Sequence, residues 1–394
     1  YIPCIIGATL LASCTSDNDF DNTPSPDDWS NTVTNSNVEI KLGTGSNGTR
    51  SSLGDANGLF AANGLGVFCL AKDKLSDDTK LIEINWSRLN ESTKTYSLWM
   101  DNVKTNATIN GDVTELSWAD HKTRWYPIGN WHRYSFYGYY PRVEDQNITT
   151  SQTKITAKIT IDGTQDIIWG KADPDPAEKP YAYSGYYFRQ PGNDEDIPVL
   201  QFEHKLMRLD FYVKAAPDAK GSTANAKNMG VQEIAVKDVP YVGTLTIAHK
   251  TSDPNICEDG KLTFESTTKK DFFVSTDDTS GGLSEVCWVE DDAKQVGQGL
   301  LVPVPAKGKT YKVKITLSNK QENPDKPDKA ETMIPNEIEL NNTQAQFEAG
   351  KNYKVMINVP AATKVQANAK LTWWVEEKDA IKDLSLIHIS EPTR

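Results

Sequence analysis

The chain has 394 residues, of which 42 are Lys or Arg and 54 are Asp or Glu, and its net charge is −12. This acidic balance argues against nucleic acid as a partner, because a surface that binds nucleic acid must be basic. The length is sufficient for two domains of ordinary size, each with its own buried core.

The N-terminal residues combine an apolar run with a cysteine. Residues 5–10 are mostly apolar, and the following Leu11-Ala12-Ser13-Cys14 resembles the lipobox of bacterial lipoproteins, whose cysteine is acylated and becomes the mature N-terminus. We therefore predict that residues 1–13 are a partial signal peptide, which starts at Tyr1 without an initiator Met, and that two acyl chains on Cys14 anchor the protein. The alternative is a buried N-terminal strand or helix that contains Cys14.

Residues 14–36 are polar and acidic. Such a segment cannot bury enough apolar area to fold, so we predict that it is a solvated tether. The first alternation of apolar and polar residues after it, at residues 38–42, predicts a short β-strand.

Along most of the remaining chain, apolar residues alternate with polar ones at a period of two, which is typical of strands with one buried face. Residues 155–161, 311–317 and 353–359 show this pattern clearly. Helical periodicity is nearly absent, and turn dipeptides such as Asn110-Gly111 and Asp259-Gly260 are frequent. The sequence therefore predicts an all-β fold of antiparallel β-sandwiches.

The alternation changes phase within residues 199–213. Leu206 ends one phase and Leu209 begins the opposite one, so the register must slip near Met207-Arg208. A β-bulge, or a strand that crosses from one sheet to another, would absorb this slip.

A segment with few apolar residues, 215–230, marks the predicted domain boundary. We predict an N-terminal β-sandwich domain at residues 37–217 and a C-terminal one at residues 218–383. Residues 384–394 resemble the in-frame translation of a sequencing adapter, so we expect them to be non-native and the C-terminal domain to be truncated near Asp383.

The sequence carries no pattern typical of a catalytic or metal site. No cysteine or histidine has zinc-ligand spacing, and neither a nucleophile elbow nor a phosphate-binding loop occurs. Cys69 is predicted to be a buried apolar residue, whereas Cys257 and Cys287 are either free or joined in a disulfide. His204 lies on the inward phase of its strand, which favours a hydrogen-bonded core residue over a general base. We therefore predict no enzyme activity, no cofactor and no metal.

Aromatic residues are dense at positions 181–188, which do not alternate cleanly and are predicted to form a loop. If the rings are exposed, they can stack on sugars, which gives a candidate ligand surface made of Tyr181, Tyr183, Tyr186 and Tyr187. The alternative is that such rings fill the cores. The corresponding alternative function is that of a monomeric surface lipoprotein that binds a glycan or a host ligand.

Several landmarks follow one another in a specific order. They are Gly48-Thr49-Arg50, Trp125-Tyr126-Pro127 and residues 64–68, 134–141, 166–173, 202–209 and 347–353. Together with the lipobox, this order resembles the fimbrillin-like lipoproteins of Bacteroides and Porphyromonas relatives, which are subunits of type V pili. The resemblance covers almost the whole mature chain.

The resemblance implies two tandem transthyretin-like antiparallel β-sandwich domains in a surface-exposed, adhesive pilus subunit of the outer membrane. It implies that Cys14 carries the lipid and that an arginine-specific protease removes an N-terminal strand at Arg50. It also implies that a C-terminal donor strand, around Leu371, Trp373 and Val375, fills the exposed groove of the next subunit. The implied partners are other fimbrial subunits, the outer membrane through the lipid, and a host or bacterial surface ligand.

Overall fold

A computed structural model describes residues 38–46, 62–73, 83–84, 86–89, 98–110, 113–126, 133–173, 183–189, 191–193, 197–217, 220–251, 257–276, 282–303, 311–319, 331–332, 336–340, 347–359 and 366–372. These residues are mainly strands. In chain order the strands are β1 (Gly43–Ser46), β2 (Ala62–Asp73), β3 (Glu83–Ile84), β4 (Leu98–Asn110), β5 (Val113–Trp118), β6 (Arg133–Tyr140), β7 (Ile148–Thr150), β8 (Lys154–Thr160), β9 (Ile168–Ala172), β10 (Val199–His204), β11 (Met207–Ala215), β12 (Met229–Pro240), β13 (Val242–His249), β14 (Leu262–Phe264), β15 (Lys269–Phe273), β16 (Cys287–Trp288), β17 (Lys294–Leu301), β18 (Tyr311–Asn319), β19 (Glu331–Thr332), β20 (Asn336–Leu340), β21 (Asn352–Val359) and β22 (Gln366–Thr372). The one α-helix of the described residues, α1 (Gly185–Phe188), is a single turn, and short 3-10 turns lie at Trp86–Leu89, Asp145–Asn147 and Ala226–Asn228. The predicted all-β class is confirmed.

The first sheet contains eight strands in the order β3-β2-β4-β5-β1-β10-β9-β6. Because β6 also pairs with β2, all of these strands except β3 form a closed circuit. The pairs are antiparallel apart from β1 and β10, which run parallel. This sheet contributes side chains to one buried apolar cluster. The cluster includes Ile40, Val67, Tyr126, Leu200 and Phe202.

Three further sheets hold the other strands. Their strand orders are β17-β11-β21-β22, β15-β12-β18-β19 and β14-β13-β8-β7. In the second of these sheets, β16 also pairs with β12, and β20 also pairs with β18. A second buried cluster joins residues from Phe68 to Val359. The pairing of β8 with β13, and of β11 with β17 and β21, links strands on either side of the predicted boundary. The division at residues 217 and 218 and the transthyretin-like character of two domains stay predictions.

The strands with clear alternation have the predicted buried faces. Ile155, Ala157 and Ile159 in β8 are at most 1% exposed, whereas Lys158 between them lies in water. The same alternation buries Val313 and Ile315 in β18, and the corresponding positions of β21. The period of two therefore located these strands correctly.

The predicted change of phase near Met207 corresponds to a crossing between sheets. β10 ends at His204 in the eight-stranded sheet, and β11 begins at Met207 in a different sheet. The two residues between them are held by backbone hydrogen bonds, in which Lys205 N donates to Ile167 O at 2.8 Å and Gly350 N donates to Leu206 O at 2.8 Å. One continuous segment thus contributes neighbouring strands to two sheets.

The cysteine and histidine environments fit a structural role. Cys69 is fully buried, as predicted, and Cys257 and Cys287 are free, so the disulfide alternative is wrong. His204 is 5% exposed, and its Nδ1 lies 2.5 Å from Oδ2 of the buried Asp166. His204 is therefore a hydrogen-bonded core residue, as predicted.

Candidate functional site

We call the first described residues, 38–46, the N-terminal segment, and its second half is part of the eight-stranded sheet. Its second half is β1, which pairs in parallel with β10 from Gly43 opposite Val199 to Ser46 opposite Phe202. On the other side, Gly43 lies opposite Glu115 of β5. The N-terminal segment thus occupies an interior position between two later parts of the chain.

The first half of the N-terminal segment is not the regular strand that the alternation predicted. Only Glu39 forms a bridge there, opposite Trp125, and the regular strand begins at Gly43. Ile40 N donates to Arg124 O at 2.7 Å, and Tyr126 N donates to Val38 O at 2.9 Å. The partner of this half is a loop, so the hydrogen bonds are pairwise and do not extend into a ladder.

The side chains of the N-terminal segment nevertheless alternate as predicted. Ile40 is 1% and Leu42 is 5% exposed, whereas Glu39 and Lys41 point into water. Burial of an aliphatic side chain of this size contributes roughly 1.5–3 kcal/mol, so these two residues make a substantial part of the docking free energy of the segment. Sequence reasoning found the alternation but not the partner strand.

An ion pair fixes the loop that receives Ile40. Arg124 donates from Nη1 and Nη2 to the two carboxylate oxygens of Asp120, both at 2.9 Å, and its guanidinium lies 4.8 Å from the centre of the Trp118 ring. The hydrogen bond from Arg124 lowers the pKa of Asp120 from 3.8 to about 2. The two-pronged contact holds the Arg124 carbonyl oxygen where the backbone of Ile40 can donate to it.

A cleft of about 450 Å³ lies beside the N-terminal segment. Ile40, Leu42, Leu116, Trp118 and Ile197 contribute apolar surface to its lining. Loss of the N-terminal segment would enlarge this cleft into a groove, bounded on one side by the backbone of β10 and on the other by β5. Such a groove offers unpaired backbone groups and apolar seats to an extended peptide.

The predicted modification residues lie outside the described residues. This applies to Cys14 and to Arg50, which follows the end of β1 at Ser46 by four positions. Lipidation at Cys14 and processing at Arg50 therefore stay predictions.

The predicted donor-strand region begins inside β22. There, Leu371 lies opposite Tyr353, and the antiparallel pairing of β22 with β21 continues to Thr372. β22 stands at the end of its sheet order, so among the described residues it has one hydrogen-bonded neighbour. Trp373 and Val375 lie outside the described residues.

The aromatic segment contains one helical turn where the sequence predicted a loop. Ser184 caps α1, since its Oγ accepts from Tyr187 N at 3.1 Å. Tyr183 has a positive φ of 56° and packs parallel to Phe188, with ring centres 6.5 Å apart.

Both tyrosines whose side chains are described in this segment are half-buried, and the rings contact one another. Tyr187 lies 5.2 Å from Phe188, and Tyr183 lies 6.2 Å from Phe136. Tyr186 belongs to α1, and Tyr181 lies outside the described residues. The observed contacts use much of the aromatic surface for packing, and the ligand surface stays a prediction.

The described residues contain neither a metal-binding cluster nor a membrane-spanning helix. No group of three or more His, Cys, Asp or Glu side chains is arranged to hold a metal ion within the described part of the chain. Nor does the described part contain a helix with the length and apolar character needed to span a membrane.

These features define an all-β protein whose N-terminal segment is inserted between two later parts of one sheet. The fimbrillin-like family matches residues 49–374, and the chain therefore belongs to this family. This membership supports a fimbrial role at the cell surface. No match was found among curated proteins.

Two solved structures of Bacteroides proteins are similar to the chain. One is a proposed cell adhesion protein from Bacteroides uniformis ATCC 8492, with 16% identity, a TM-score of 0.47, and coverage of 86% of this chain and 98% of that one. The other is a fimbrial protein from Bacteroides vulgatus ATCC 8482, with 15% identity, a TM-score of 0.43, and coverage of 86% and 100%.

Proposed function

We propose that the chain is a lipid-anchored subunit of a fimbrium, held in the outer membrane by Cys14 and joined to its neighbours by exchange of β-strands. The observation that carries this proposal is the insertion of the N-terminal segment ahead of Arg50. Removal of this segment would leave a groove inside a sheet, and that groove would bind an extended strand from another subunit.

The geometry on the β10 side supports a strand as the occupant. β1 and β10 stay in parallel register over four residue pairs, so β10 presents backbone donors and acceptors to whichever strand replaces β1. The sites now filled by Ile40 and Leu42 would bind two side chains spaced by two residues. This spacing is the period of a β-strand, which gives the groove its selectivity for extended peptides.

The donor in this proposal is the C-terminal part of the chain around Leu371, Trp373 and Val375. Because Leu371 is paired with β21, a donor that includes it must first leave that edge. A strand at an edge breaks one ladder on leaving, whereas an interior strand breaks two. The edge position of β22 therefore suits a strand that is exchanged between subunits.

The first test combines cleavage with an assembly assay. The chain with its native C-terminal sequence is treated with an arginine-specific protease, the new N-terminus is sequenced, and the product is run on a denaturing gel without boiling. We expect cleavage after Arg50 and a ladder of oligomers that collapses on heating. The matched control is Arg50→Lys, which keeps the positive charge but is not a substrate for such a protease, and we expect it to stay monomeric.

A peptide competition identifies the groove. A synthetic peptide of residues 38–46, added in excess to the cleaved protein, should suppress the ladder, whereas the same peptide with Ile40→Asp should not. A ladder that is insensitive to both peptides, or a monomer after complete cleavage at Arg50, contradicts assembly through this groove. A monomer would favour the alternative of a monomeric lipoprotein, which a glycan array would then examine.

The lipid anchor requires its own experiment. Metabolic labelling with radioactive palmitate in a Bacteroides host should mark the protein, and Cys14→Ser should abolish the label and release the protein from the membrane fraction. If the Cys14→Ser variant stayed in the membrane fraction as the original protein does, the proposed lipid anchor would be contradicted. The matched control is Cys257→Ser, at an exposed free cysteine, which should leave the label unchanged.

A further inference from the structure

We propose that a second cavity binds an amphipathic organic anion, meaning a molecule with an apolar body and an acidic group. This cavity has a volume of about 960 Å³, and it shares no described lining residue with the cleft beside the N-terminal segment. Such a volume falls within the size range of small-molecule sites, roughly 300–1,000 Å³. We call it the lysine-rimmed cavity, after Lys205, Lys237, Lys269 and Lys312 in its lining.

The wall of the lysine-rimmed cavity is largely apolar. Leu262 and Phe264 of β14 contribute to it, together with Val302, Tyr311 and Phe347. The Tyr311 hydroxyl donates to Val302 O at 2.6 Å, and the ring of Phe347 packs edge-on against that of Tyr353 at 4.7 Å. The rings are thus held by their neighbours, so an apolar ligand would meet a formed surface.

The lining of the lysine-rimmed cavity contains more lysines than acidic residues. Four lysines and two acidic residues, Asp238 and Glu348, line it, in a chain of net charge −12. Lys205 pairs with Glu203 at 2.9 Å, and Lys237 pairs with Asp271. Lys269 and Lys312 are exposed and form no ion pair with any described residue, so their ammonium groups can bind a ligand anion.

The combination of the two surfaces defines the ligand class. A small inorganic anion would neutralise lysines but leave the apolar wall uncovered, and a neutral apolar molecule would not contact the ammonium groups of Lys269 and Lys312 with an opposite charge. An amphipathic organic anion satisfies both surfaces, because its body displaces water from the wall while its acidic group binds Lys269 and Lys312. This inference does not depend on strand exchange.

The experiment uses two dyes on the intact chain that share an anilinonaphthalene body and differ in one acidic group. The anionic probe is 8-anilino-1-naphthalenesulfonate, and the uncharged probe is N-phenyl-1-naphthylamine, which lacks the sulfonate. We expect saturable binding of one anionic dye per chain by fluorescence titration. Binding of the uncharged dye should be about tenfold weaker, since each exposed ion pair contributes at most about 1 kcal/mol.

Paired lysine variants separate a local contact from net charge. The double variant Lys269→Ala/Lys312→Ala should weaken binding of the anionic dye by about three- to tenfold and leave the uncharged dye unaffected. The control, Lys154→Ala/Lys250→Ala, changes the net charge equally at two exposed lysines outside the cavity lining and should bind both dyes normally.

A blocking variant checks the location. Thr263 is an exposed residue of β14 in the cavity lining, and Thr263→Trp should hinder both dyes, because tryptophan is accepted in a strand and its indole fills the cavity. Equal affinity for the two dyes, equal loss in the two lysine pairs, or normal binding in Thr263→Trp would overturn the proposal.

Discussion

The N-terminal segment and β22 lie near opposite ends of the described chain and differ in how many neighbours hold them. The second half of the N-terminal segment, β1, is one strand of a closed circuit and lies between β10 and β5. By contrast, β22 ends its sheet and pairs with β21 alone among the described residues. Loss of the first would open a two-sided groove. Release of the second would free a strand without leaving a gap in a sheet.

This difference agrees with the complementary roles that we propose for the two regions in strand exchange. An interior position suits an acceptor, because its two flanking backbones become available together when the resident segment leaves. An edge position suits a donor, because only one ladder has to be broken. The following experiments are designed to break or sharpen this comparison, in order of decreasing expected effect.

The largest effect is expected from a charge placed under the N-terminal segment. Ile40→Asp loses an aliphatic side chain that is 1% exposed and brings a carboxylate to its site. The docking free energy of the segment should fall by roughly 3–5 kcal/mol. Hydrogen exchange should show residues 38–46 opened while β22 keeps its protection. Lys41→Asp, at the neighbouring exposed position, is the control, and equal opening in both variants would refute the burial argument.

A smaller effect is expected from an extra methyl group at Gly170 of β9, the strand that pairs with β10. The Cβ of alanine at Gly170 would lie 2.8 Å from Gln201 O in the adjacent strand, so Gly170→Ala must displace backbone. We expect a loss of about 1–3 kcal/mol in urea unfolding and weaker protection of β1.

Gly299 provides the matched control for this substitution. It lies in β17 opposite Leu209 of β11, and among the described residues a Cβ there meets nothing within 4 Å. Gly299→Ala should leave stability within about 0.5 kcal/mol of the original value. A destabilisation of the same size at both glycines would mean that the close approach at Gly170 is not the cause.

The unmodified protein offers a third test. Amide exchange in β1 should require about 1–2 kcal/mol more free energy of opening than exchange in β22, because β1 is paired in the interior of its sheet. Mass spectrometry of peptides from the two strands measures this difference. Faster exchange in β1 than in β22 would reverse the proposed roles of acceptor and donor.

The smallest effect concerns the loop that receives Ile40. Arg124 lowers the pKa of Asp120 to about 2, so the folded state favours the carboxylate. The resulting stability is present above pH 4 and is lost as the pH falls towards 2. Because Asp120 is 43% exposed, the loss should be less than about 1 kcal/mol.

Asp120→Asn isolates this contribution. The variant should be slightly less stable than the original protein at pH 6, and the difference should shrink by pH 2, as measured by urea unfolding. A difference that stays constant across this range would indicate that the carboxylate charge contributes nothing.

The sequence was sufficient to predict much of the fold. The period of two in β8, β18 and β21 indicates one buried face. Each strand shows this pattern within its own sequence, so its partners need not be known. The change of phase between Leu206 and Leu209 likewise predicted either a β-bulge or a crossing between sheets, and the structure has the crossing, from β10 to β11.

The partners of these strands could not be predicted in the same way. The parallel pairing of β1 with β10 joins residues that are far apart in the chain, and no local pattern specifies it. The same limit applies to the bidentate contact of Arg124 with Asp120, whose spacing would also fit a helix, and to the single turn of α1, which Ser184 caps within a segment without periodicity. The candidate groove depends on such pairings. The sequence therefore predicted the buried side chains of the N-terminal segment but not the strands that flank it.

The continuous passage from β10 into β11 has a mechanical consequence. β10 is parallel to β1, and β11 is parallel to β21, so these strands run alongside one another at both ends of the passage. Tension applied along a strand that replaced β1 would pass sideways into β10 and then along the covalent backbone into β11. It would load the ladder hydrogen bonds in shear, all at once, and not open them one after another. Such a load path would suit a subunit that carries tension along a fimbrium.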